Sequence, residues 1–227
     1  MTRTIADLTL EYEERAAILE HDNGMSPEDA ERQASAEIYD QLRAVGSRFN
    51  GIRAELLAAV RRVHDSPNVE RTLADCQLLD RPAPMWGVGV VVADGELYRP
   101  ADDGEEGSNA LIAPAFDNHG LADLVAFGVR SRRMATRLGV ATLLGVDAVE
   151  GARQADTPLA VFDNTAHWLQ GSTRGAVVVD WGRAGSGLEG IARLRCSPRL
   201  ASLLYDATRH CWPRPSIEYA VKVAHAA

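Results

Sequence analysis

The chain has 227 residues, 46% of them hydrophobic and 25% charged, with a net charge of −8. That length buries a proper core as one large domain or two small ones, and the composition is that of an ordinary globular protein. No apolar run nears the roughly 18 residues of a membrane span. The start "MTRTIADLTLEYEERAAILE" is acidic and lacks the apolar segment of an export signal. Cys76, Cys196 and Cys211 show no pairing pattern, so the expectation is a reduced, cytoplasmic protein with no membrane contact.

The charge is uneven. Residues 1–50 hold 11 acidic and 5 basic side chains, a net of −6. Such a module repels phosphate backbones. The basic side chains are 23 Arg and one Lys, Lys222. Without interior lysines there is no Walker A loop, and a lysine Schiff base has only Lys222 to use.

Leu8, Tyr12, Ala16 and Leu19 recur at helical spacing and predict an amphipathic helix over 7–21. "HDNG" ends it, with Gly24 as a left-handed cap. Ser26 then offers an N-cap and Pro27 a first helical residue. Ala30, Ala34, Ile38 and Leu42 form the stripe of a second helix, so the pair makes a helical hairpin. Residues 50–64 read as a third helix, and "DSPNVERTLADCQLL" as a short fourth. "DRPAP" at 80–84 breaks the pattern and marks the expected boundary between an acidic helical module, 1–80, and a mixed α+β domain, 86–221.

From Trp86 the period changes. "GVGVVVADGELYRP" reads as a hairpin turning at Asp94-Gly95. "ALIAPAF" and "LADLVAFGV" are two strands joined by "DNHG", completing a β-meander. "RSRRMATRLGVATLLG" is ambiguous and could hold a further hairpin. "VDAVEGARQ" (helix), "PLAVFD" (strand), "TAHWLQG" (helix), "GAVVVDW" (strand), "IARLRC" (strand), "PRLASLLYDATRH" (helix) and "SIEYAV" (strand) then alternate. That alternation predicts a small, partly parallel sheet. The fold class is α+β: a helical hairpin or bundle followed by a small mixed-sheet domain.

Four groups of residues are candidates for function. "HDNG" holds His21, Asp22 and Asn23, but Pro27 starts a helix too soon for a calcium loop. The second helix, with Glu28, Asp29, Glu31, Glu37 and Asp40 against Arg32 and Arg43, carries the wrong charge for DNA. It fits docking to a protein partner, with Glu28, Glu31 and Glu37 as the docking residues, and equally a hairpin packed on its own third helix. "GRAGSGLEG" holds Gly185-x-Gly187-x-x-Gly190, but a strand pattern follows it where a dinucleotide site needs a helix.

Asp117, Asp123, Asp163 and Asp180 stand at expected strand ends. Clustered there, carboxylates hold Mg²⁺ for phosphoryl chemistry; scattered, they are turn residues. Arg130, Arg132, Arg133 and Arg137 put four guanidiniums in eight residues. They suit phosphate, nucleic acid, or the acidic N-terminal module of the same chain. Nucleophile patterns are poor: Ser186 has the wrong spacing for an elbow, His119 and His167 lack a sequence-adjacent triad partner, and Cys196, His210 and Cys211 lack zinc spacing. Trp86, Trp168 and Trp181 read as core anchors.

"ERAAILEHDNGMSPEDAERQA", residues 14–34, resembles an accessory helical segment of phage- and plasmid-type primases and other mobile-element proteins. "LIAPAFDNHG" through "ATLLG", "PLAVFDNTAHWLQG" and "GAVVVDW" are similar to a proteobacterial hypothetical-protein family and, more faintly, to the Toprim region of those primases. The Toprim resemblance implies a Mg²⁺ site with a Glu after one strand and an Asp-x-Asp after a later one. Asp163 would stand at the Glu position, and "VVVDWGR" offers only Asp180, followed by Trp181 and Gly182.

The expectation that follows is a non-catalytic accessory protein without a cofactor, partnered by proteins of mobile-element DNA replication. The alternatives are a Mg²⁺-dependent nucleotide- or phosphate-processing enzyme using Asp163 and Asp180, and a nucleic-acid binder using Arg130 to Arg137.

Overall fold

The computed structural model of the chain describes residues 5–22, 24–27, 29–31, 33, 34, 37, 50–65, 69–79, 86–117 and 120–219. The chain forms two compact units, residues 1–141 and 142–227. Helices and sheets both contribute, as the patterns predicted. Among the described residues no helix is long and apolar enough to cross a membrane.

In the first unit, α1 spans Ile5–His21. Tyr12 and Leu19 are buried, while Glu13, Glu14 and Glu20 face water. Gly24 follows at φ +63°, a conformation glycine reaches without steric cost. The Ser26 hydroxyl oxygen accepts the Asp29 amide at 3.2 Å, as an N-cap does. Ala30 and Ala34 are buried as the stripe predicts; Ile38 and Leu42 lie outside the described residues.

Next come α2, Asn50–Asp65, and α3, Val69–Asp75. Five strands follow: β1 Gly87–Asp94, β2 Leu97–Pro100, β3 Ser108–Asp117, β4 Gly120–Gly128 and β5 Met134–Thr136. They form a closed barrel in the order β1-β2-β5-β4-β3. This is more than a meander. β1 pairs antiparallel with both β2 and β3, and the last strand returns beside the second, in parallel. A register shift at Ala115/Phe116 bends the long β3–β4 ladder, as bulges do. Asp94 pairs with Leu97, so the tight loop is Gly95-Glu96, one residue beyond the expected turn.

The barrel's apolar face includes Val91, Tyr98, Ala110, Ile112, Leu124 and Ala126. Ile52, Leu56, Ala59 and Val60 of α2, at i, i+4, i+7 and i+8, join the same cluster. Contact is close enough that a Cβ on Gly87 would collide with the backbone of Ala59 and Val60. The segment 80–84 lies outside the described residues. The compact unit nonetheless runs from the helices through the barrel to Ala141, because α2 and β1 bury their apolar faces against each other.

The second unit alternates as predicted: β6 Leu143–Leu144, α4 Val146–Ala155, β7 Leu159–Phe162, α5 Thr165–Gln170, β8 Ala176–Val178, α6 Ala184–Gly187, β9 Arg193–Cys196, α7 Pro198–Ala207 and β10 Ser216–Tyr219. The sheet order is β10-β9-β7-β8-β6. The first four strands are parallel and β6 is antiparallel at the edge. The ambiguous stretch 130–145 is therefore not a hairpin, since β5 belongs to the barrel and β6 to this sheet.

Leu159, Val161, Leu194 and Cys196 alternate onto one face of that sheet and pack with Val149 and Ala152 of α4 and Leu200 and Leu204 of α7. Burying each such leucine contributes about 1.5–3 kcal/mol relative to leaving it in water. The glycine-rich stretch 182–190 contains the single turn α6, with Ala184 and Leu188 in the core.

Candidate functional site

The parallel strands of the second unit place their C-terminal ends together. From β7 the chain crosses to β8 on one side and then to β9 on the other, so the topological switch point lies between β7 and β9. Open α/β sheets bind ligands at such a point. Asp163 is the residue after β7 and Ser197 the residue after β9. The Ser197 hydroxyl donates to Asp163 Oδ1 at 2.8 Å. His167 Nδ1 lies 3.6 Å from Asp163 Oδ2, with its backbone amide held by Asn164 Oδ1 at 3.0 Å.

The chemistry of this group follows from its order. A nucleophilic serine needs its hydroxyl against a base nitrogen, with the carboxylate behind that base. Here the carboxylate stands between serine and histidine. Ser197 also occupies the N-cap position of α7 without capping it. Its hydroxyl instead links the end of β7 to the start of α7.

Asp180 has different partners. Its Oδ1 accepts the amides of Gly182 (2.8 Å) and Arg183 (3.3 Å), and its Oδ2 pairs with Arg183 Nε. The Arg183 guanidinium holds its carboxyl below the usual carboxylate range. Mg²⁺ takes carboxylate oxygens at about 2 Å in a near-octahedral shell. An ion at Asp180 would have to compete with Arg183 at Oδ2 and with two amides at Oδ1. Among the described residues no group of three His, Cys, Asp or Glu side chains is placed to hold a metal.

Asp117 ends β3, as expected. Asp123 does not end a strand. It lies within β4, fully buried, and its oxygens accept backbone amides from the segment that follows β5.

The arginine cluster disperses. Arg137 Nε pairs with Glu55 of α2 at 2.8 Å, which is the link between helices and strands that the acidic module could supply. Arg132 sits 5.8 Å from the Phe127 ring centroid and reaches the Asp75 carbonyl at 3.5 Å. Arg133 is exposed. Arg130 lines a cavity of about 290 Å³ with Arg71, Thr72, Asp75, Ser108 and Asn109. Arg71, on α3, was not foreseen as a partner because it is 59 residues away in sequence.

Of the hairpin carboxylates, Glu28 lies outside the described residues and Glu31 is exposed. Glu37 pairs with Arg15 of α1 and accepts from Gln33 at 3.2 Å. Arg15 holds the Glu37 carboxyl below its usual range.

One surface was missed by sequence reasoning altogether. Trp86 and Trp168 are buried and Trp181 is half-buried against the second core, but Trp212 is 88% exposed. Two residues on, Arg214 lies 4.5 Å from the ring centroid of Tyr205, itself 55% exposed. Arg214 also donates to the Arg209 carbonyl at 2.9 Å, and Arg209 Nε donates to His210 Nε2 at 2.9 Å. The available signal was the composition of "RHCWPRP": a Trp set among arginines and prolines, without the apolar periodicity of a core anchor. Compared with protein-family models, curated proteins and solved structures, the chain matches none.

Proposed function

We propose that this chain is a non-catalytic accessory protein that binds another macromolecule. The observation that carries this reading is the exposed surface of Trp212, Tyr205 and Arg214 in the second unit. Trp, Tyr and Arg are the residue types that dominate binding energy at interfaces. The resemblance of residues 14–34 to an accessory segment of primases and mobile-element proteins supports a role in mobile-element DNA replication. The acidic helical hairpin, through Glu28 and Glu31, is the second docking face in this reading.

Crosslinking of the full-length chain in an extract of its host tests the reading. Wild type is compared with Trp212→Ala and with the double variant Glu28→Arg, Glu31→Arg. Loss of a defined crosslinked partner in either variant is the expected result. Unchanged crosslinks in both would refute it, as would turnover of a nucleotide that disappears in Asp163→Ala.

The Arg71–Arg130 cavity favours a second reading, the binding of a phosphate- or carboxylate-bearing small molecule. Stabilisation by inorganic phosphate in wild type, lost in Arg130→Ala, would support it.

A further inference from the structure

We infer that the Trp212–Tyr205–Arg214 surface binds single-stranded nucleic acid. The inference rests on the accessory role proposed above and names the partner class. Proteins that hold single strands without sequence preference combine exposed aromatic rings, on which bases stack, with guanidiniums that follow the phosphates. This surface has both elements within one short stretch. Trp212 stands 88% exposed and Tyr205 55% exposed, with Arg214 stacked on the Tyr205 ring.

Charge supports an anionic occupant. The chain as a whole is at −8, yet residues 193–214 hold five arginines against one acid, Asp206, a local net of +4. Screening limits the reach of other charges to about 8–10 Å at ordinary ionic strength; within reach, Glu189 acts on Cys211, next to Trp212 in sequence, and Arg214 offsets it. Not all five arginines are available. Arg195 pairs with Glu218, and Arg193 donates to the Asp156 carbonyl. Arg209 and Arg214 form no ion pair among the described residues and flank Trp212. Arg214 spends one of its N–H donors on the Arg209 carbonyl, which orients the guanidinium and leaves other donors for phosphate oxygens.

The same features weigh against other occupants. Duplex bases are already stacked, so a protruding indole gains little from them. Arg209 and Arg214 stand on either side of Trp212 in sequence, a charge pattern that an anionic strand satisfies.

The test uses the full-length chain and a fluorescein-labelled oligodeoxythymidylate, read by anisotropy and by quenching of Trp fluorescence. A duplex of the same length and a polyglutamate peptide are the comparison ligands. The oligonucleotide is expected to bind at low salt, with affinity falling as salt rises. Trp212→Ala should weaken binding about tenfold, the scale of one lost base stack, while Trp212→Phe retains most of it. Arg214→Ala should weaken binding and flatten the salt dependence. Absence of oligonucleotide binding at low salt would overturn the inference, as would equal binding by wild type and Trp212→Ala. Trp212-dependent binding of polyglutamate alone would also overturn it, while leaving the accessory role standing. If neither ligand binds and the crosslinks of Trp212→Ala and of the Glu28→Arg, Glu31→Arg variant both match wild type, both fall.

Discussion

The Asp123 carboxylate accepts the amide of Ala141 at 2.9 Å, across 18 residues of chain. It also accepts the amides of Leu124 (2.8 Å), Arg137 (3.1 Å), Leu138 (2.9 Å) and Val140 (2.8 Å). A fully buried carboxylate is tolerable only when its oxygens are saturated in this way. Replacing it by alanine strands those donors. Asp123→Ala is therefore expected to cost about 3–5 kcal/mol in urea unfolding. Asp123→Asn should cost less, because one acceptor oxygen remains while the new NH₂ opposes the donors. A loss below about 1 kcal/mol in both variants would show that other groups satisfy these amides.

Tyr98 presents the opposite case inside the same barrel. Its hydroxyl is buried and makes no hydrogen bond of ordinary geometry, although the Glu55 carboxylate lies close enough to act on it. Burial, with Glu55 second, pushes the phenol's ionisation well above its ordinary range. An unpaired buried hydroxyl is a penalty, so Tyr98→Phe should leave stability unchanged or raise it by up to about 2 kcal/mol. A clear loss in denaturant unfolding would mean that the hydroxyl has a partner in solution.

The β2–β3 connection carries a pH signature. Arg99 donates to Glu105 at 2.6 Å, and Glu105 also accepts the Asp102 amide at 2.9 Å. Arg99, with that amide, lowers the Glu105 carboxyl to about 2. An unfolded glutamate titrates near 4.3, so the folded value is the depressed one. Its stabilising contribution is complete above about 4.3 and is lost as pH falls toward 2. NMR titration should give Glu105 a midpoint near 2 in wild type and a clearly higher one in Arg99→Ala, still below the unfolded value because the Asp102 amide remains. Exchange of the Asp102 amide should speed up over the same window. A wild-type midpoint above about 4 would mean the pair is open in water.

Asp180 bears on magnesium. With Arg183 and two amides on its oxygens, wild type should show no thermal shift on adding Mg²⁺. A ligand at one hundred times its dissociation constant stabilises by about 2.7 kcal/mol, which is easily seen. A Mg²⁺-dependent rise that vanishes in Asp163→Ala and in Asp180→Ala would instead establish the paired-carboxylate site.

Local features were the most legible in the sequence. The alternation from "VDAVEGARQ" onward yields the second unit almost strand for strand, because each apolar face there is set by nearest neighbours in sequence. Non-local pairing was less accessible. No pattern marks β5, three residues long, as the strand that closes on β2, and none places β6 in a different sheet. The aspartates were visible as turn-formers, but turn propensity cannot tell Asp123, saturated in the interior, from Asp163 at a strand end. The arginine cluster was legible as charge only; which cation meets Glu55 and which lines a cavity depends on contacts 82 and 59 residues apart. Trp212 escaped because three other tryptophans obeyed the core expectation.

The barrel is joined between β2 and β5 by one aligned residue pair, Leu97 with Thr136, and by the Thr136 amide on the Glu96 carbonyl at 2.8 Å. Every other joint is longer. The ring thus behaves as a cuff with a single clasp. Thermal fluctuation should unbuckle it at Thr136 first, splaying β2 from β5 while the β3–β4 ladder stays zipped.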